Sequence, residues 1–237
     1  MRAILLAGGK GTRLYPYTAV FPKPLMPLGD KPVMEVLIRR LKSYGIDHVT
    51  LCVGHLAPLV ESFFKDGKWL GVKIDYSMEN KPLGTVGPLT LLKDLPDYFI
   101  VTNGDLLTDA NFGQMIRLHK KEKADLTIGV YKREERIDLG VLETKGKRIT
   151  GYKEKPVYNF YVSTGLYVFN KKILEFLPKN EYYDFPTLVN TLLSKKRKIV
   201  SYQIKGYWLD IGRPDDYQKA IDKFSNERNG FLPKAKK

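Results

Sequence analysis

Apolar runs of four to six residues alternate along the chain with segments whose apolar positions recur at helical spacing, the pattern of βαβ units around a mostly parallel sheet. Ala3 to Ala7 reads as the first strand. Asp30-Lys31-Pro32 offers a cap and a first-turn proline, Val33, Met34, Leu37, Ile38 and Leu41 fall on one helical face, and Gly45 ends the helix. Val49 to Val53 predicts the next strand, Leu56 to Phe64 a helix and Val72 to Tyr76 a strand. Thr85 to Leu92 suggests another helix, Tyr98 to Thr102 a continuously apolar central strand, and a helix is expected from about Asn111 to Lys121.

The second half is richer in strands, with Leu126 to Tyr131, Gly140 to Glu143, Ile149 to Lys153 and Tyr161 to Phe169. Asp184 to Leu193 and Pro214 to Phe224 read as closing helices, and Asn226 to Lys237 as a fraying basic tail. No internal repeat, low-complexity linker or composition break divides the 237 residues. The expectation is one α/β domain over 1–237 in two lobes: a parallel lobe over about 1–122, and a strand-rich lobe with closing helices over about 123–225. The right-handed crossover rule makes it a layered sandwich.

Composition narrows the class. A domain of this length buries roughly 70% of its unfolded surface and needs no disulfide. Cys52 is the single cysteine, which excludes an intramolecular disulfide and a Cys-based zinc site, suits a reducing cytoplasm, and reads as a core residue. The start MRAILLAGG lacks the apolar core and cleavage site of a signal peptide, and no stretch approaches the ~20 apolar residues of a membrane span, so no membrane partner is expected. The net charge of +14 fits either a nucleic-acid surface or a site for small polyanions. Its densest runs, Lys195 to Lys198 and Lys234 to Lys237, fall between elements and at the end, without the interleaved aromatics of a single-strand platform.

The loop Gly8-Gly9-Lys10-Gly11-Thr12-Arg13-Leu14 follows the first strand directly. The dinucleotide fingerprint GxGxxG fails at its third glycine, where Leu14 stands, and no Gly-Lys-Ser/Thr follows at Walker spacing. What is left is a tight turn or a glycine-rich strand exit whose amides can approach an anion beside the Arg13 fork. Phe21-Pro22-Lys23-Pro24 holds one lysine between two prolines, which lowers the entropy of fixing a cation. Asp105, after the run Phe99 to Val101, and Asp210, after Tyr207-Trp208-Leu209, each end an apolar run where open α/β sheets bind ligands. One or two carboxylates with phosphate oxygens and waters are what Mg²⁺ prefers. Glu154-Lys155-Pro156 is a third polar cluster, suited to an exposed hairpin or to a second anionic substrate. His48, His55 and His119 show no ligand spacing and read as structural or surface residues.

Together these stretches resemble the sugar-1-phosphate nucleotidylyltransferase family: AGGKGTRL at 7–14, PKPLMP at 22–27, KPLGTVGPL at 81–89, NGD at 103–105, EKP at 154–156, STGLYVF at 163–169 and WLDIGRPDDY at 208–217. The resemblance implies a Rossmann-like nucleotidyltransferase fold, with a mostly parallel central sheet flanked by helices and a strand-rich sugar-binding lobe. It implies that a sugar 1-phosphate attacks the α-phosphorus of a nucleoside triphosphate, giving a nucleotide-sugar and pyrophosphate for glycan or polysaccharide biosynthesis. By motif, the resemblance implies that Ala7, Gly8, Gly9, Gly11, Thr12 and Arg13 line the nucleotide, Gly84 and Thr85 approach the base, Arg13 contacts the departing pyrophosphate and Lys23 the reacting phosphates. Asp105 and Asp210 hold Mg²⁺. Glu154 meets the sugar hydroxyls, Lys155 the sugar phosphate, and Gly165 gives the sugar room. The motifs look most like the mannose- and heptose-1-phosphate guanylyltransferases, so GTP is the expected nucleotide, with thymidylyl, uridylyl or cytidylyl transfer as alternatives within the family. A single activity, a cytoplasmic location, and a monomer or homodimer are expected. A nucleic-acid-binding protein is the alternative from another class.

Overall fold

The computed structural model describes residues 1–232. In chain order its strands are β1 (Arg2–Ala7), the short bridges β2 (Pro27–Leu28) and β3 (Lys31–Pro32), β4 (His48–Val53), β5 (Lys73–Met78), β6 (Tyr98–Asn103), β7 (Leu106–Thr108), β8 (Leu126–Arg136), β9 (Val141–Lys145), β10 (Arg148–Lys153), β11 (Val157–Asn170), β12 (Ile199–Gln203) and β13 (Trp208–Asp210). The α-helices are α1 (Val33–Ser43), α2 (Ala57–Phe64), α3 (Phe112–Glu122), α4 (Phe185–Ser194) and α5 (Pro214–Phe231).

Seven strands form one sheet in the order β12-β8-β11-β6-β1-β4-β5, parallel throughout except for β11. The mostly parallel sheet expected from the sequence is therefore present. Ala3, Ile4 and Leu5 of β1 are fully buried because helices cover both faces, which is why the strand reads as a continuous apolar run. One core holds Leu37 and Leu41 of α1, Phe64 of α2 and Met115 of α3. The other sets Phe99 of β6 and Phe169 of β11 under Leu188 and Leu192 of α4. A third cluster seats Phe224 and Phe231 of α5 against Leu28, Val33 and Leu107.

Three expectations change. The helix expected over Thr85 to Leu92 is a 3-10 turn over Gly87–Leu91 only. The Val86 and Gly87 amides donate to the Tyr183 carbonyl, so these groups serve a distant loop instead of a helical ladder. The last helix continues past Phe224 to Phe231, because Phe231 is itself buried beside Phe224 and Tyr207; the rest of the expected tail, residues 233–237, lies outside the described residues. Finally, β8 and β11 run well beyond the strands expected at 126–131 and 161–169, pairing out to Arg136 and Val157 as an exposed arm. Their register breaks between Ser163 and Tyr167, where Gly165 has φ +72°, and such a bulge bends a ribbon away from its sheet. The outer half of the arm buries no side chain, so the apolar pattern that marks a strand was weak there.

Candidate active site

β1 delivers the glycine loop to the C-terminal edge of the sheet. Gly11 takes a left-handed conformation, φ +64°, and its carbonyl accepts from the Thr18 hydroxyl at 2.8 Å, which fixes the turn into the short 3-10 segment Thr12–Leu14. A Cβ on Gly8 would collide with the Glu79 carboxylate, whereas one on Gly9 would meet no heavy atom within 4 Å. The loop is thus closed on one side and open on the other, so an anion can come up to its backbone at Gly9. Arg13 is exposed and lies over Gly212, whose missing side chain leaves room for the guanidinium; a Cβ there would stand 3.3 Å from Arg13 Nη1.

The acidic pair comes from two different pieces of sheet. Asp105 follows β6, and Asp210 ends β13, which pairs antiparallel with β7 and sets Asp210 opposite Leu106. The Ile211 amide donates to the Asp105 carbonyl at 3.2 Å and closes this junction. Asp210 therefore does not stand at the end of a strand of the central sheet, as the sequence suggested, but on a two-stranded ladder beside it. Between the two carboxylates lies Lys23 Nζ, paired with Asp105 and 3.8 Å from Asp210 Oδ1. The 3-10 turn Lys23–Leu25, entered through Pro22 and holding Pro24, fixes this lysine. Burial raises the Asp210 carboxyl above its ordinary pKa, the Asp105 charge adds to the rise, and Lys23 and Arg13 oppose it.

Asp105 Oδ1 and Asp210 Oδ1 are buried without any hydrogen-bond partner. Two orphaned, converging carboxylate oxygens fit a divalent cation that takes its other ligands from phosphate and water. Among the described residues no group of three or more acidic, His or Cys side chains could hold a metal ion.

Two adjoining hollows meet at this edge. One of about 290 Å³ is lined by Ala7, Gly11, Thr12, Lys23, Asp105 and Gly212. The other, of about 760 Å³, is lined by Gly8, Lys10, Glu79, Gly84, Thr85 and Tyr182. Leu6, Gly9, Arg13 and Asn103 line both, so one elongated molecule can span them past Arg13. Gly84, at φ +78°, sits where a Cβ would lie 2.7 Å from the Tyr183 carbonyl and 3.3 Å from the Tyr182 ring.

The expected residues of the strand-rich lobe lie apart. Glu154 and Lys155 are exposed and line neither hollow; Glu154 accepts from the Tyr152 hydroxyl at 2.5 Å, and Lys155 has φ +43°. Gly165 abuts the cleft through Asn103, whose amide nitrogen would be 2.6 Å from a Cβ there. Sequence reasoning gave no role to Glu79 or Tyr182, nor to Asn103 although it opens the NGD motif. The motif KPLGT, two residues on, was the signal nearest Glu79, and nothing local marked Tyr182. His55 also lines the larger hollow, while His48 pairs with Asp75 at 2.5 Å and His119 is buried with Nδ1 2.9 Å from Thr127 Oγ1. Burial pushes the His119 pKa down to about 4, which agrees with a structural histidine. Cys52 is buried and its thiol is pushed up to about 12 by that burial, so it is inert.

A mostly parallel sheet here ends in a glycine loop, a lysine held between two prolines and two buried carboxylate oxygens without hydrogen-bond partners. The chain belongs to the nucleotidyl transferase family, whose model matches residues 2–227. It is 35% identical, over 93% of its length, to a UTP–glucose-1-phosphate uridylyltransferase of Synechocystis sp., and 34% identical, over 92%, to the mannose-1-phosphate guanylyltransferase catalytic subunit beta of Xenopus tropicalis. The chain spans 62% of the length of these curated relatives. Among solved structures it is similar to a putative glucose-1-phosphate thymidylyltransferase of Bacillus anthracis in complex with sucrose, with TM-score 0.76, 26% identity and 94% of each chain covered. It is also similar to HddC of Yersinia pseudotuberculosis complexed with GMP-PN, with TM-score 0.72, 26% identity, and 94% of this chain and 99% of that one covered. Among the described residues no helix is long and apolar enough to cross a membrane.

Proposed function

We propose that this protein transfers a nucleotidyl group from a nucleoside triphosphate, GTP by preference, to a sugar 1-phosphate, forming a nucleotide-sugar and pyrophosphate. An oxygen of the sugar phosphate forms the new bond to the α-phosphorus, and the bond to the bridging oxygen of the pyrophosphate breaks. The sugar phosphate is already an anionic nucleophile at neutral pH, so no base or covalent intermediate is required. The observation that carries this reading is that Arg13, Lys23 and Asp105 line one hollow, with Asp210 brought beside them by Lys23 Nζ, 3.8 Å from its Oδ1.

In this reading the open backbone at Gly9 receives phosphate oxygens, and Arg13, held over Gly212, takes charge on the departing pyrophosphate. Lys23 leaves its carboxylates to meet the reacting phosphates, and its prolines keep the reorientation small. Asp105 and Asp210 would hold Mg²⁺, which when bound supplies Lewis-acid neutralisation and alignment of the phosphates. Lys155 and Glu154 are assigned to the phosphate and hydroxyls of the sugar. Because both stand outside the two hollows, the arm that carries them would have to lean toward the cleft when the sugar binds.

GTP is preferred because of Glu79. Its carboxylate lines the larger hollow with Gly84, Thr85 and Tyr182, and Oε2 already accepts from the Leu83 amide at 2.9 Å. The guanine edge offers adjacent N1–H and N2–H₂ donors to an acceptor-only carboxylate, whereas thymine and uracil offer one N–H between two carbonyls that a carboxylate repels. The test is a matrix of GTP, ATP, CTP, UTP and dTTP against common sugar 1-phosphates, scored by pyrophosphate release. Turnover with GTP and a hexose or heptose 1-phosphate is expected, and no pyrophosphate with any pair would overturn the reading.

A further inference from the structure

Asn103 ends β6 beside Leu6 of β1 and lines both hollows, yet neither the acidic pair nor the phosphate cations account for it. It is half-buried. The Thr102 hydroxyl donates to its backbone carbonyl at 3.1 Å, whereas its side-chain amide has no hydrogen-bond partner among the described residues. Behind it stands Gly165, buried, at φ +72° in the bulge between β8 and β11. A Cβ there would lie 2.6 Å from the Asn103 amide nitrogen and 2.9 Å from its Cγ, so the missing side chain leaves the room that Asn103 fills. The glycine is not free to yield, because the buried Thr164 before it is held on two sides. The Thr164 hydroxyl donates to the Gly129 carbonyl at 2.8 Å, and its own carbonyl accepts from Trp208 Nε1 at 2.8 Å. An amide backed by fixed backbone and lining an open cleft is oriented in advance for a ligand.

The chemistry of the amide says which part of a ligand it meets. In the reaction proposed above, on which this inference rests, the phosphates have Arg13 and Lys23 and the base has Glu79. Phosphate oxygens only accept, and a neutral amide adds little beside two cations. A hydroxyl both donates and accepts, as the Asn103 amide does, so each satisfies the other. Two hydroxyl-bearing rings flank the α-phosphorus in that reaction, the ribose of the nucleotide and the sugar of the sugar 1-phosphate. Glu154, the residue assigned to the sugar hydroxyls, lies outside both hollows, which leaves the ring hydroxyls without a partner inside the cleft. We propose that Asn103 is a specificity-determining residue that hydrogen-bonds a ring hydroxyl of a bound substrate where the two hollows meet, and that Gly165 is the positioning residue that seats it.

The experiment compares kcat/KM for each parent substrate with that for its deoxy forms: the 2′- and 3′-deoxy forms of the preferred nucleotide, and the monodeoxy forms of the sugar 1-phosphate turned over fastest. In the unaltered protein at least one deoxy form should lose ~10-fold or more, since a site built to hydrogen-bond a hydroxyl rejects the analogue that lacks it. Asn103→Leu, which keeps the bulk without the hydrogen bonds, should bring that ratio near one while its melting profile shows the fold retained; Asn103→Ala should do the same. Relief in the nucleotide series assigns the contact to the ribose, and relief in the sugar series to the sugar. Gly165→Ala should lower the melting temperature whether or not Asn103 is present, because φ +72° strains an alanine, but should reduce the ratio only where Asn103 is present. An unaltered protein that disfavours no deoxy form, or ratios that survive both Asn103 variants, would overturn the role of Asn103. A Gly165→Ala protein that is destabilised yet keeps the ratio would overturn the seating by Gly165. Absence of turnover with every nucleotide and sugar 1-phosphate would overturn the underlying reaction and this inference with it, whereas turnover with unchanged ratios would overturn this inference alone.

Discussion

Asp105 and Asp210 face one another across Lys23 Nζ, each with one carboxylate oxygen buried and unpartnered. In the absence of a further cation, one lysine is shared by two acids. This leaves the site electrostatically unsatisfied in the protein alone, the condition that a metal or substrate relieves.

Asp210→Asn should separate stability from turnover. A carboxyl whose folded pKa is raised contributes stability that is complete below its unfolded pKa and is lost as pH rises through the folded value. Asp210 therefore contributes less to the stability of the metal-free fold at neutral pH than at low pH, and the amide, which has no charge to bury, should raise the melting temperature in EDTA. Turnover with Mg²⁺ should fall by at least ~100-fold, as when a preorganised charge at a reacting centre is lost. Thermal scans in EDTA and steady-state rates check both arms; near-normal turnover at limiting Mg²⁺ would remove Asp210 from the metal site.

Arg13→Ala should lose rate more than affinity. The guanidinium is exposed and rests on Gly212, so its removal leaves no buried cavity. A cost of about 2.7–4 kcal/mol in kcat is expected if it stabilises charge that develops only in the transition state. A raised KM with kcat unchanged would make it a ground-state contact.

Glu79→Gln should weaken the choice of base. The amide keeps one acceptor but turns a donor toward the guanine edge, so the advantage of GTP over UTP in kcat/KM should shrink by at least ~10-fold, about 1.4 kcal/mol. Competition assays with both nucleotides in one vessel read this directly. An unaltered preference would place base selection elsewhere.

Lys155→Ala and Glu154→Ala should affect different ends of the sugar phosphate. Loss of a compact cation should weaken every sugar 1-phosphate about equally, and loss of the carboxylate should reorder epimers that differ at one hydroxyl. The nucleotide KM should move little in either variant. Kinetics with two epimeric sugar 1-phosphates would refute the assignment if the Glu154→Ala ranking stayed the same, or if Lys155→Ala damaged the nucleotide KM selectively.

The sequence by itself determined the sheet and much of one wall of the cleft. Strands β1, β4 and β6 announce themselves because burial on both faces demands continuous apolar runs, and α1 because its apolar face recurs at helical spacing, whereas the glycines of Gly8–Gly11 mark a turn after β1 without deciding what it holds. Asp105 could be placed for the same reason, at the end of a legible strand. Its partner could not be placed so well: Asp210 reaches it only through the register of β13 on β7, two three-residue strands too short to carry a pattern of their own. Glu79 lies against Gly8, and Gly165 against Asn103, only once distant loops and strands have docked. The arm, with its apolar side chains in solvent, also breaks the link between pattern and burial on which such reading depends. Local sequence encodes which side chains seek burial and where the chain must turn, whereas the meeting of residues far apart in the chain is decided by strand order and register, which are set by the packing of the whole sheet.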